Sequence, residues 1–367
     1  MSPVRNSSPQ PSGRASAGAI SNGMRLLIVT QAVDRDDPVL GFFIGWIQAF
    51  AKEFESVHTI CLTEGTHRLP PNVRVYSLGK ESGRSRIKYL WRFFRTAWKL
   101  RREYDAVFVH MNQEYILLGG ILWRILGKQI VLWRNHKKGS IWTRVAGFLA
   151  HTVCFTSPSA YVSGYSNAVQ MPIGIDTDAF KPAHTQPPPD SILVLGRLDP
   201  VKRVELFIAA LEILRSRGVP FTADVYGEPT EGNLDYAHEV RNQASVLSLD
   251  GDVSFRGSIT NEEAPAVYTS HSVYVNLTPS GSFDKTIGEA MASGCVVATA
   301  NDAVREVVPP ELFVADSSAE AVARAIHAAL ALDSERRARV STRLREHILV
   351  EHSLNRLMER LMMIYTV

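Results

Sequence analysis

The 367-residue chain has little cysteine. Cys61, Cys154 and Cys295 are odd in number and far apart, so they form neither a metal-ligand spacing nor a disulfide framework. Each lies in an apolar run, which suits a small buried hydrophobe in a reducing compartment. Long apolar runs are also missing. No stretch reaches the ~18 apolar residues of a membrane span, and the nearest, Tyr115 to Trp133, is interrupted by Arg124 and Lys128. The expectation is a soluble or peripheral protein. No G-x-G-x-x-G turn occurs, so the dinucleotide fingerprint is unsupported. Residues 1–23 are rich in Ser, Pro, Gly and Asn. They lack the apolar core of a secretion signal and read as a disordered tail.

Hydrophobic residues make up 45% of the chain and charged ones 21%, the balance of a globular protein. The length admits two α/β domains. From Met24 onward, apolar runs alternate with helix-like segments. Strands are predicted at Met24–Thr30, Val57–Leu62, Val73–Ser77, Ala106–His110, Gln129–Trp133 and Thr152–Thr156. A turn-rich stretch, Met171 to Pro182, leads into a proline-rich linker at 183–190. The pattern then restarts with strands at Ile192–Leu195, Thr222–Tyr226, Val253–Phe255, Val273–Leu277 and Cys295–Ala300, and a last helix at Leu354–Tyr365. Strands alternating with helices predict parallel, doubly wound sheets, in which ligands lie beyond the strands' carboxyl ends. His110 and His136 both follow strands on that edge. Each position also suits an ordinary hydrogen-bonded loop histidine.

Net charge is only +3, but it is unevenly spread. Lys80 to Arg102 holds nine basic residues against one acidic one, a local +8; the rest, 31 basic against 36 acidic, is net acidic by five. An anionic partner is expected there. The stretch reads as an amphipathic helix with Ile87, Trp91, Phe94 and Trp98 on one stripe and basic residues on another. Either the aromatic stripe packs on the domain and the charge is merely solvated, or the helix lies on an anionic membrane. Nucleic acid is not expected, since no nucleic-acid module accompanies the patch.

The stretch Thr278 to Gly294 follows the strand Val273–Leu277 and reads polar glycine loop, then helix, before leading into the next strand. A helix N-terminus there presents unpaired N–H groups to an anion. A second loop, Gly196 to Arg203, carries Arg197 and Lys202, a fork and a point charge suited to clamping two phosphates.

Pro172-Ile173-Gly174-Ile175-Asp176, Gly196-Arg197-Leu198 with Lys202, Phe255-Arg256-Gly257, and Gly288-Glu289-Ala290-Met291-Ala292-Ser293-Gly294 stand in order across both halves. With them the chain resembles the retaining glycosyltransferases of the GT4 family. The resemblance implies a GT-B fold: two Rossmann-like domains with parallel sheets facing across a cleft, here 24–182 for the acceptor and 191–350 for the donor. Residues 351–367 would then cross back to the N-terminal domain. It implies transfer of a sugar from a nucleotide-diphosphate donor to a glycan or lipid-linked acceptor, in the cytoplasm or at the inner face of the plasma membrane. Arg197 and Lys202 would bind the donor diphosphate and stabilise it as it leaves, and Glu289 would hold the ribose. Gly41 would let the backbone approach the donor, Gly257 stands in the base-reading loop, and His136 would face sugar and acceptor. Ser282, Phe283, Asp284, Lys285 and Thr286 would supply backbone and side-chain donor contacts. The family's first glutamate falls at Gly281, so Asp284 is expected to offer a carboxylate in its place. No metal and no cofactor is expected. That missing glutamate also leaves open a sugar-nucleotide epimerase, or a nucleotide-sugar-binding protein without turnover.

Overall fold

A computed structural model describes residues 23–366, with Arg84, Ser248, Asp250, Ser280 and Gly281 excepted. All but the last residue of the expected tail, and Gly281, lie outside the described residues.

The chain builds two parallel sheets. The first contains β1 (Arg25–Val33), β2 (Ser56–Glu64), β3 (Val73–Ser77), β4 (Ala106–His110), β5 (Gln129–Trp133), β6 (Thr152–Phe155) and β7 (Ala168–Gln170), in the order β3-β2-β1-β4-β5-β6-β7. The second contains β8 (Ser191–Leu195), β9 (Thr222–Tyr226), β10 (Val253–Gly257), β11 (Val273–Asn276) and β12 (Val296–Thr299), in the order β10-β9-β8-β11-β12. Strand order reverses beside β1 and β4 in the first sheet and beside β8 and β11 in the second. A crevice opens at such points beyond the carboxyl ends.

The helices of the first half are α1 (Phe43–Glu53), α2 (Arg86–Lys99), α3 (Glu114–Ile125) and α4 (Ile141–Leu149). Those of the second are α5 (Val204–Ser216), α6 (Leu234–Val246), α7 (Ala264–Thr269), α8 (Lys285–Ala292), α9 (Ala319–Leu330) and α10 (Ser334–His347), followed by α11 (Leu354–Tyr365). β1 is apolar at every position from Leu26 to Val29 because it is covered twice. Leu26 and Ile28 face the core shared with α1 and α11, while Leu27 and Val29 face the core under α2, α3 and α4.

α11 starts where the Ser353 side chain accepts from Arg356 N–H. Its Leu357, Met358, Leu361 and Tyr365 bury against Trp46, Ile47 and Phe50 of α1, so the chain's last helix packs on the first sheet. The predicted helix over 80–102 is shorter in the structure. A single 3-10 turn covers Lys80–Ser82, and α2 starts only at Arg86, after Gly83 at φ +141°. The buried side of α2 is Phe93 and Ala97; Ile87, Trp91, Phe94 and Trp98 face outward.

Candidate active site

The two crevices meet in a cavity of about 230 Å³ lined from both halves, by Gly41 and Phe42 on one side and by Gly196, Arg197, Lys202, Asp284, Lys285, Thr286 and Glu289 on the other. A neighbouring cavity of about 240 Å³ shares Arg197, Pro38 and Val39 with it and continues past Tyr226, Glu228, Thr230 and Ser258.

Gly196 and Gly227 pass so closely that a Cβ on Gly227 would sit 1.9 Å from the Gly196 carbonyl oxygen. Gly196 N–H donates to Tyr226 O (3.0 Å), and Gly227 N–H to Gly257 O (2.7 Å). These bonds tie the ends of β8, β9 and β10 into one rigid floor. From it rises the loop carrying Arg197 and Lys202. Asp199 closes that loop, accepting from Val201 N–H at 3.1 Å. Arg197 is exposed in the cavity and makes no hydrogen bond or ion pair among the described residues, so its fork is free for a ligand.

Lys202 is not free in the same way. Its ammonium donates to Asp284, and both side chains are largely buried. Asp284 also accepts from Asn276 Nδ2 (3.1 Å), Thr278 Oγ1 (3.1 Å) and Thr286 Oγ1 (3.0 Å), and it caps α8 through Thr286 N–H (3.3 Å). Burial alone would raise this carboxyl. The Lys202 charge and the hydrogen bonds from Lys202, Asn276 and Thr286 outweigh burial and hold it at about 2. The sequence leads one to expect that Asp284 offers a carboxylate to the ligand; it lines the cavity, but its oxygens accept from the protein, which fixes Lys202 and the start of α8.

Lys285 and Glu289 lie one turn apart on α8. Lys285 reaches across the cleft. Its Nζ sits 3.6 Å from the Phe42 ring centroid and 3.3 Å from Gly174 O. Glu289 is 6% exposed and accepts from Tyr268 Oη at 3.2 Å. Burial pushes the Glu289 carboxyl up and the Lys285 ammonium down, and each charge pulls the other back. Gly41 turns the loop after β1 beside them; a Cβ there would meet Arg35 O at 2.7 Å.

Other expected residues stand apart from the cavity. Gly257 lies behind it, at φ +75° at the end of β10. Ser282 is exposed, with its carbonyl taken by Asn301 (3.0 Å); Phe283 is buried, its ring 4.9 Å from that of His352. His136 is exposed and outside the lining, and its Nδ1 holds the Lys138 N–H at 2.9 Å. His110 is buried, stacked on Phe43 at 4.0 Å, with Thr30 Oγ1 at 3.3 Å. Burial and the nearby Lys285 press its pKa down to about 3, so it is a neutral core ring. Three D-x-D spacings occur. The first residue of one, Asp250, lies outside the described residues, and in the other two the first carboxylates are spent on backbone. Asp34 takes Asp36 and Thr66 N–H, and Asp176 takes Asp178 and Ala179 N–H, all at 3.1 Å. No group of three or more metal-ligating side chains gathers among the described residues. Sequence reading missed Phe42, Tyr268, Asn276 and Thr278. Phe42 lies 243 residues from the lysine it covers, and no local pattern announces that contact.

Residues 189–331 match the family model of the group 1 glycosyl transferases. No curated protein sequence matches the chain. Among solved structures, Anabaena HepE in complex with UDP and glucose is 17% identical with a TM-score of 0.74, over 94% of this chain and 99% of that one. Sucrose-phosphate synthase from Thermosynechococcus elongatus is 18% identical with a TM-score of 0.73, over 94% and 98%. A glycosyltransferase from Rickettsia africae is 13% identical with a TM-score of 0.74, over 94% and 98%. At such identities the likeness is one of fold, the GT-B arrangement of two facing parallel α/β halves.

Proposed function

From a group 1 glycosyl transferase domain at residues 189–331, set in a GT-B fold, we propose a retaining transferase that moves a sugar from a nucleoside-diphosphate donor to an envelope glycan or lipid-linked acceptor. The observation that carries this reading is the convergence on one cavity of a free Arg197, a positioned Lys202 and the N-terminus of α8.

As the bond from the sugar's anomeric carbon to the diphosphate breaks, negative charge grows on the phosphate oxygens. Cations fixed in advance at that place lower the barrier, because they need no reorganisation when the charge appears. Lys202, held by Asp284, has that property. Arg197 closes on the phosphates from the cavity wall, and the first amides of α8 and the Lys285 ammonium add to the field. Glu289 accepts the ribose hydroxyls; its fixed Tyr268 contact leaves the second oxygen open. The base occupies the cavity beside Tyr226 and Ser258. The acceptor oxygen bonds to the anomeric carbon on the face the diphosphate leaves, and its proton passes to a phosphate oxygen, so no protein nucleophile is required. Gly281 lies outside the described residues, and Asp284 is engaged elsewhere.

The stretch 80–102 supports work at the inner face of a membrane, which suits a lipid-linked acceptor. The test is incubation with UDP-, GDP- and ADP-sugars with detection of free nucleoside diphosphate. UDP-sugars come first because the HepE structure contains UDP. Release from one donor is expected. Conversion to an isomeric sugar would indicate an epimerase, and binding without release a protein that has lost turnover.

A further inference from the structure

We propose that the outer faces of α2, α3 and α4 form one continuous docking surface for an anionic lipid bilayer. This rests on the membrane reading of stretch 80–102 and enlarges it. The three helices lie side by side over one face of the first sheet. Phe93 of α2 packs on Tyr115 (5.8 Å) and Trp123 (6.1 Å) of α3, and Arg124 of α3 donates to the carbonyls of Phe148 and Leu149 at the end of α4 (3.0 and 2.9 Å).

Their inner sides are satisfied by Phe93, Ala97, Trp123 and Ala146 in the core. The large apolar side chains outside have no such work. Ile87 (80% exposed), Trp91 and Trp98 on α2, Ile125 (78%) on α3, and Trp142 and Phe148 (82%) on α4 all stand in solvent. Eleven of the twenty exposed large hydrophobics among the described residues fall on these three helices, which make up only 35 residues. Scattered exposed apolar groups need no explanation; eleven on three neighbouring helices do.

Charge selects the occupant. Arg86, Lys88, Arg95 and Lys99 on α2, Arg124 on α3 and Arg144 on α4 are all exposed, against one acidic residue, Glu114. Arg95 lies over Trp91 (5.2 Å) and Arg101 over Trp98 (4.5 Å), so cations interleave with aromatics. Protein interfaces deplete charge at their centres, and a second copy would bring two cationic faces together. An anionic bilayer takes both components at once, aromatics at the headgroup level and ammonium and guanidinium groups on the phosphates. Trp142 sits in the first turn of α4, just after the loop leaving the carboxyl end of β5, so the surface meets the cleft side, where a lipid-linked acceptor would arrive.

The full chain is sedimented with neutral phosphatidylcholine vesicles and with vesicles containing a quarter phosphatidylglycerol. Binding at least tenfold tighter to the anionic vesicles is expected. The pair Trp142→Ser/Phe148→Ser on α4 and the pair Trp91→Ser/Trp98→Ser on α2 should each weaken it at least tenfold. Nucleotide binding should be retained in both, which shows that they fold. If only the α2 pair loses binding, the three-helix surface is wrong and the α2 contact alone stands. Equal sedimentation with both vesicles, or none, overturns both. A dimer in analytical ultracentrifugation that the α4 pair dissolves would make a second copy the occupant and overturn the proposal.

Discussion

Arg197→Ala is expected to lower kcat by about two to three orders of magnitude, the range for removing one preorganised donor from developing negative charge. The variant's melting temperature should stay close to that of the parent, because Arg197 is exposed in the cavity and makes no hydrogen bond or ion pair among the described residues. Activity and stability should separate here, and that separation is informative. An arginine with a structural role would lose both together. Lys202→Ala should lose both, since it leaves Asp284 as an uncompensated buried carboxylate. Steady-state kinetics on the preferred donor, with thermal melts of both variants, check this. Arg197→Lys should recover only part of the rate, because a point charge cannot reproduce a two-pronged contact with phosphate.

Asp284→Asn carries the second large effect. Asparagine caps a helix about as well as aspartate, so α8 should still start in place. What goes is the charge. Lys202 would then sit largely buried with no counter-ion, and breaking such a pair by removing one partner costs about 3–5 kcal/mol. The pH dependence follows from the direction of the shift. The folded carboxyl is held at about 2, below its ordinary value of 3.8. Its stabilisation is therefore present in full above the unfolded value and is lost as pH falls from about 4 towards 2. Urea unfolding of the parent should show that acid loss, and Asp284→Asn should start lower at pH 7 and lose less over the same interval. If the two proteins respond alike to acid, the ion pair does not hold this loop. Activity should fall as well, since Lys202 loses the contact that aims it.

Much of the framework was legible from apolar runs. β3, β4, β5 and β9 have the bounds that the sequence predicts, as does α11. β4 and β5 are buried on both faces and leave uninterrupted apolar runs, whereas β3 and β9 alternate. β7 was not legible. It is three residues long and only half-buried, below the length at which alternation means anything. The orientation of α2 was also hidden. Aromatics lie on two of its faces, and only the tertiary position of Phe93 against Trp123 decides which one turns inward. In the site, residue types were legible and pairings were not. Arg197 and Lys202 look equivalent on one loop; the structure separates them, because Asp284, 82 residues further on, takes Lys202 alone. The same contact turns the Asp284 carboxylate towards Lys202, which its position in sequence does not announce. Pairings over such separations are set by how β8 and β11 lie side by side, which no local pattern encodes.

The proposed transfer requires that this cavity bind a nucleoside diphosphate through Arg197 and Lys202. Calorimetric titration of the parent chain and of the Arg197→Ala/Lys202→Ala variant with UDP, GDP and ADP tests it most directly. One nucleotide should bind the parent, with an affinity that weakens as salt is raised, and the double variant should bind it at least a hundredfold less tightly. Equal affinity in the two proteins, or no binding of any of the three to the parent, would contradict it.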